Sequence, residues 1–230
     1  EIMSCSREQH SEVFWATIGG MGLTGIILDV HFRLRAVETA YCHVTYRRTA
    51  NLEDTLDLFQ QSDESFEYSV AWIDCLARGS KLGRSVVMLA NDARVDDLPR
   101  GLRPTALELP KRRRLAVPFH LPGFVLNPIA VKAFNGYYYS RYGDSERLID
   151  FDTFFYPLDG IRHWNRIYGR RGFVQYQALF PSTSSRQGLV EMLEKIAHSR
   201  RASFLARSRA SPQIQAISTS PSRPGSARRS

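Results

Sequence analysis

The sequence predicts an α+β fold, an antiparallel sheet with helices on one face, and three observations predict it. Runs of strict alternation recur, as at Leu28, Val30, Phe32 and Leu34 and again at Val174, Tyr176, Ala178 and Phe180, the period of a half-buried strand. Between such runs lie helical stripes at Leu52, Leu56 and Phe59 and at Leu189, Leu193 and Ile196. The order strand, helix, strands, helix, strand, helix lacks the regular β-α-β repeat of a parallel sheet.

The first element is a short helix over Glu12 to Ile18, with Ser11 as its N-cap. Gly20, Gly22 and Gly25 then spell G-x-G-x-x-G, but the motif precedes a strand and follows a helix. A dinucleotide fold needs the reverse order, so a Rossmann site is not expected. Two readings stand for these glycines. They form a tight turn needing positive φ, or they let backbone N–H groups approach a ligand.

Tyr41 to Arg47 reads as the next strand, and Asn51 caps a helix with Asp54 at its third position. Phe66 to Asp74, containing Trp72, and Ser85 to Leu89 read as strands. Residues 93–128 are rich in proline and charge and read as irregular connection with short strands. Pro128 opens a helix running to about Tyr142, Leu148 to Phe155 is extended, and Gly172 to Phe180 is a strand. Ser185 to His198 is the last helix, with an outward Glu191–Lys195 pair.

From Ser199 the composition shifts to Ser, Arg, Pro and Ala, with seven arginines and no Asp, Glu or Lys. Such a stretch buries too little apolar area to offset its ordering entropy, so disorder is expected there. Removing these seven charges from the formal +8 leaves about +1 for the rest of the chain. The body is therefore nearly neutral, which argues against a nucleic-acid partner. Its one basic run, Lys111 to Arg114, sits between prolines and reads as a solvated loop.

The 230 residues, 43% of them hydrophobic, suffice for a core. Cys5, Cys42 and Cys75 lack C-x-x-C spacing and are expected to be reduced thiols. The histidines are dispersed, so no metal site is expected. No apolar run approaches the roughly 18 residues of a membrane-spanning helix. Gln175 and Gln177 remain as two amides on one strand face, roughly 7 Å apart. They suit either sugar hydroxyls and a flavin edge or plain solvent.

Four strings carry a resemblance: E-x-F-W-A-T-x-G-G-x-G-L-T-G-I-I-L from Glu12, Y-S-x-A-W-x-D at Tyr68 to Asp74, F-Y-P-L-D with W-N-R-x-Y-G, and G-F-x-Q-Y-Q. Together they resemble flavin oxidases of the vanillyl-alcohol-oxidase type, in the decaprenylphosphoryl-β-D-ribose 2′-oxidase branch. The resemblance runs from about Glu12 to Leu205. It implies the end of a flavin-binding domain at residues 1–38 and an incomplete substrate domain at 39–206. A disordered tail, truncated or frame-shifted or else naturally of low complexity, is expected at 207–230.

By the same resemblance, Gly19, Gly22, Thr24, Gly25 and Ile26 line FAD. Trp72, Phe155, Leu158, Trp164, Asn165, Gln175 and Gln177 line the substrate and flavin cavity. The implied reaction is oxidation of a sugar hydroxyl by hydride transfer to flavin. The substrate is a small or lipid-linked sugar of the polyprenyl-phospho-ribose kind, and a cytoplasmic setting, at the membrane surface through that substrate, is expected. The phosphate loops and catalytic lysine are expected outside this chain, which by itself is expected to hold FAD weakly and to be inactive. A well-known member has Tyr at the position of Phe155 and an aromatic at Ile161, so head-group specificity stays open. The alternatives are an aldonolactone oxidase of the same superfamily and a basic module binding RNA or a membrane surface.

Overall fold

The computed structural model describes residues 2–62, 64–111, 115–170, 172–174, 176–181, 183–199, 206–211 and 214–219, with backbone alone at Phe124, Tyr176, Gln177, Leu179, 206–211 and 214–219. The chain divides into two compact units, residues 1–36 and 37–230.

The first unit contains helix α1, Ser11–Thr17. Its N-cap is His10, at φ 46° and without a side-chain cap, so Ser11 lies inside the helix rather than capping it. The glycine turn follows, with the Gly20 N–H donating to Thr17 O at 3.1 Å and the Leu23 N–H to Gly20 O at 2.9 Å. A Cβ at Gly20 would stand 2.2 Å from Ala16 O. Only glycine fits so close to that carbonyl. The strand expected next is absent: residues 25–36 form no helix or strand, and Leu28, Val30, Phe32 and Leu34 are exposed. Alternation makes a strand only where a neighbouring strand takes up the backbone N–H and C=O groups, and among the described residues none pairs here.

The second unit begins with strand β1, Tyr41–Thr49, then helix α2, Leu52–Ser62. Asn51 caps α2 as expected, its Oδ1 accepting from the Asp54 N–H at 2.9 Å, while Asp54 reaches back to the Ala50 N–H. Strands β2, Tyr68–Ile73, and β3, Ser85–Asp92, follow. The irregular stretch contains the two-residue strand β4, Leu115–Ala116; of the basic run only Lys111 lies within the described residues. Helix α3, Pro128–Arg141, is capped by Asn127, whose Oδ1 accepts from the Ile129 and Ala130 N–H groups.

Strand β5, Ser145–Asp150, ends sooner than expected and gives way to helix α4, Phe151–Phe155. The cause is Asp150, whose Oδ1 accepts from the Thr153 N–H at 3.0 Å and starts the helix. Strand β6, Ile161–Arg162, pairs in parallel with β4. Strand β7, Tyr176–Pro181, starts later than the alternation suggested, and helix α5 occupies Ser185–Ser199.

Strands β8, Ala206–Ser211, and β9, Ile214–Thr219, lie where disorder was expected. They pair antiparallel with each other, and β8 with β2 and β9 with β7. Ladder bonding uses main-chain groups that every residue but proline carries in full, so a sequence without an apolar pattern still extends a sheet edge. Residues 220–230 lie outside the described residues.

The seven-stranded sheet has the order β5-β1-β3-β2-β8-β9-β7. Both of its faces are covered, which corrects the expectation of helices on one face. Ala71, Ile73, Val87 and Leu89 pack with Leu52, Leu56 and Phe59 of α2 and Leu189 and Leu193 of α5. Cys42, Val44, Trp72, Val86 and Ala90, one residue out of phase, pack with Phe154 of α4 and with Tyr138, Tyr139 and Tyr142. The reason is written in β3, where Val86, Val87, Met88, Leu89 and Ala90 are apolar in both phases. A strand apolar on both sides must be buried on both.

Candidate functional site

The residues expected to line a cavity fall into two groups. Trp72 on β2 and Phe155 at the end of α4 share the aromatic face built on β1, β2 and β3. Trp72 is 5% exposed, and its ring meets Tyr138 of α3 with centroids 4.5 Å apart and planes tilted by 37°. Phe155 stands edge-on to Tyr68 at 4.9 Å and to Phe154 at 4.9 Å. Beside these rings opens a cleft of about 310 Å³, lined by Cys42, Tyr68, Asp92, Leu107, Phe151 and Phe155 among others.

Trp164 belongs to a second cluster, on the 3₁₀ turn Trp164–Tyr168. It packs against Phe173 at 5.2 Å and Tyr168 at 6.3 Å. Arg166 fixes the turn by donating from Nη1 to Val117 O at 3.0 Å and Pro118 O at 2.8 Å. Asn165 is exposed on that turn, and Leu158 is half-buried in the preceding turn Pro157–Gly160. Gln177 is described only in its backbone, which pairs with Ser218 on β9, and Gln175 lies outside the described residues.

In the first unit, Gly19, Gly22, Thr24, Gly25 and Ile26 follow one another along an exposed turn. Gly19, Gly22 and Gly25 take φ of 80°, 77° and 150°. Nothing lies within 4 Å of where a Cβ would stand on any of the three. Thr24 Oγ1 is 3.0 Å from Thr17 Oγ1, which ties the turn to α1.

Sequence reasoning missed the polar centre of the second unit. Asp74, 2% exposed, accepts from Arg84 through Nε at 2.8 Å and Nη2 at 2.6 Å, both on Oδ2. Its Oδ1 accepts from Asn135 Nδ2 at 2.7 Å and from the Leu76 N–H at 3.1 Å. Arg84 also lies over the Tyr139 ring, 4.9 Å from its centroid. One signal was legible: Val131, Asn135 and Tyr138 make a helical stripe in α3 that Tyr142 continues at its C-cap, so an amide inside an apolar stripe called for a buried polar partner.

Burial dominates the titration of this unit. It pushes the Cys42 thiol up to about 11, helped by Asp92, Asp150 and Glu67, and the Cys75 thiol up to about 12, helped by Asp74. Tyr46 and Tyr168 are raised, each mainly by burial. These thiols stay protonated at neutral pH and are poor nucleophiles. Among the described residues no group of three or more His, Cys, Asp or Glu stands together to hold a metal, and no helix is long and apolar enough to cross a membrane. The cleft beside these rings has apolar walls at Tyr68, Leu107, Phe151 and Phe155.

No protein-family model matches the chain. Over 174 residues it is 33% identical to decaprenylphosphoryl-beta-D-ribose oxidase of Mycolicibacterium smegmatis, which covers 75% of this chain and 38% of that protein. Over 117 residues it is 34% identical to an "uncharacterized protein in mprA 5'region" of Streptomyces coelicolor, covering 50% of this chain and 31% of the relative. The chain thus spans about a third of the length of these curated relatives.

Proposed function

We propose that this chain carries the substrate-facing part of a flavin-linked oxidoreductase that oxidises a sugar hydroxyl of a polyprenyl-phospho-ribose-like substrate. The observation that carries this is the 33% identity over 174 residues to an enzyme named for oxidising decaprenylphosphoryl-beta-D-ribose. The cleft lined by Tyr68, Phe151 and Phe155 supports it as a surface on which a ring can lie.

The turn at Gly19–Gly25 fits FAD, because its positive-φ glycines leave backbone open on an exposed side. Gly19, Gly22, Thr24, Gly25 and Ile26 would hold the adenosine-diphosphate end. The bound flavin would supply the hydride acceptor. This chain's own residues then bind and orient the substrate: Trp72, Phe155, Leu158 and Trp164 give apolar walls, while Asn165, Gln175 and Gln177 give amides for hydroxyl groups.

The test uses the native protein that contains this chain. Mixed anaerobically with polyprenyl-phosphoryl ribose, its flavin absorbance should bleach. Replacing Gln175 or Gln177 by Ala should slow that bleaching roughly 10- to 150-fold, since a desolvated partner left unpaired costs about 1–3 kcal/mol. Bleaching by an aldonolactone and not by the phospho-sugar would overturn the substrate assignment, and unchanged rates in both variants would remove the amides from the site.

A further inference from the structure

We propose that the outward side of α3 docks on an anionic lipid surface, with Ile129 and Tyr137 entering the interface and Lys132 and Arg141 facing the lipid phosphates. This contact fits a lipid-linked substrate but does not rest on one, nor on a bound flavin.

Helix α3 is apolar on two sides. One side serves the fold: Val131 and Asn135 are buried, Tyr138 lies against Trp72, and Tyr142 at the C-cap stacks on Tyr46 with centroids 5.1 Å apart. The other side carries Ile129, Ala133 and Tyr137 at i, i+4 and i+8, a single stripe at about 3.6 residues per turn. It faces solvent. Ile129 is 81% exposed and Tyr137 64%, and Ala133 between them is exposed as well. A helix apolar all round belongs where both sides are covered, and the sheet covers one.

The charge around the stripe says what covers the other. Helical spacing puts Lys132 along one border of the stripe and Arg141 along the opposite border, both exposed. From Leu109 to Arg141 the sequence has six Lys or Arg and no Asp or Glu. Removing those six from the +1 of residues 1–198 leaves about −5 for the others, so the cations are gathered in this stretch. Leu115 and Phe119, in the same acid-free stretch, are also exposed. A second copy of this face would set cation against cation with no carboxylate on α3 to pair them. An anionic lipid surface accepts both the apolar stripe and its cationic borders. Tyr137 suits that boundary, since its ring enters the apolar side while its hydroxyl stays hydrated.

The experiment is vesicle co-sedimentation of the native protein that contains this chain. It needs neither flavin nor substrate, so its outcome is separate from that of the proposed reaction. The protein should bind vesicles of phosphatidylglycerol mixed equally with phosphatidylcholine, and not vesicles of phosphatidylcholine alone. Ile129→Ser with Tyr137→Ser, and separately Lys132→Gln with Arg141→Gln, should each weaken that binding about tenfold or more. Tm should stay unchanged, because all four side chains are exposed. Binding undiminished by the serine pair would assign it to charge alone, the arginines after Ser199 included, and overturn the proposal. No binding to the anionic vesicles would overturn it too, and a dimer broken by the serine pair would then make a second copy the cover. A fall in Tm in the serine pair would show the stripe packed inside the native protein and overturn it equally.

Discussion

Asp74 and Arg84 close the connection between β2 and β3, with Nε and Nη2 of the guanidinium converging on Oδ2 at 2.8 and 2.6 Å. The Asp74 N–H also donates to Arg84 O at 3.0 Å, so main chain and side chains join the same two residues. The carboxylate side chain is 2% exposed and the guanidinium 19%.

Removing one member of this pair strands a buried charge. Arg84→Ala should cost about 3–5 kcal/mol in urea unfolding, and Arg84→Lys less, because the ammonium keeps the charge and loses the fork. A loss below about 1 kcal/mol for Arg84→Ala would mean that water replaces the guanidinium and that the pair is in effect a surface one.

Gly83 holds a position that no other residue fills. Its φ is 72°, and a Cβ there would stand 2.7 Å from Leu52 Cβ and 3.1 Å from Leu52 Cα. Leu52 is itself fixed by its N–H to Leu82 O at 2.8 Å. Gly83→Ala should therefore lower stability by about 1–3 kcal/mol, read as a fall in Tm, through left-handed strain and contact with the start of α2. An unchanged Tm would show that the loop relaxes at no cost.

The buried thiols predict alkaline lability. Cys42 and Cys75 are raised from 9.0 to about 11 and about 12. Below pH 9.0 both are protonated in the folded and unfolded chain, and their contribution is fully present. Above 9.0 the unfolded chain releases these protons while the folded one keeps them, so stability falls up to about 11 for Cys42 and about 12 for Cys75. Urea midpoints measured across this range should decline less steeply in Cys42→Ala and Cys75→Ala than in the parent. Equal slopes would remove the thiols as the cause.

Half-buried Cys5 should react with a thiol reagent under native conditions before either buried cysteine. Labelling of Cys42 or Cys75 at the same rate would mean that the second unit opens readily.

Much of the second unit was legible because its signals are local. The cap at Asn51, the stripe of α2, the proline opening of α3 and the stripe of α5 each depend on residues a few positions apart. So does the alternation that marks β1. Asp150 was legible in principle and overlooked, since an N-cap inside a strand-like run ends the strand there. In the candidate site the resemblance named Trp72 and Phe155, which the structure brings onto one aromatic face of the core.

What only the tertiary structure decided is which partners meet. The alternation of residues 26–35 is as clear as that of β1, yet it makes no strand, because pairing belongs to two segments and one sequence run carries only half of it. Helices lie on both faces because β3 is apolar in both phases, and the choice of helix for each face follows from the packing of α2, α5, α3 and α4. Asp74, Arg84 and Asn135 converge from β2's end, a turn and α3, with Asp74 and Asn135 61 positions apart. Long-range electrostatic pairing leaves no periodic trace, so only folding brings that buried carboxylate its partners.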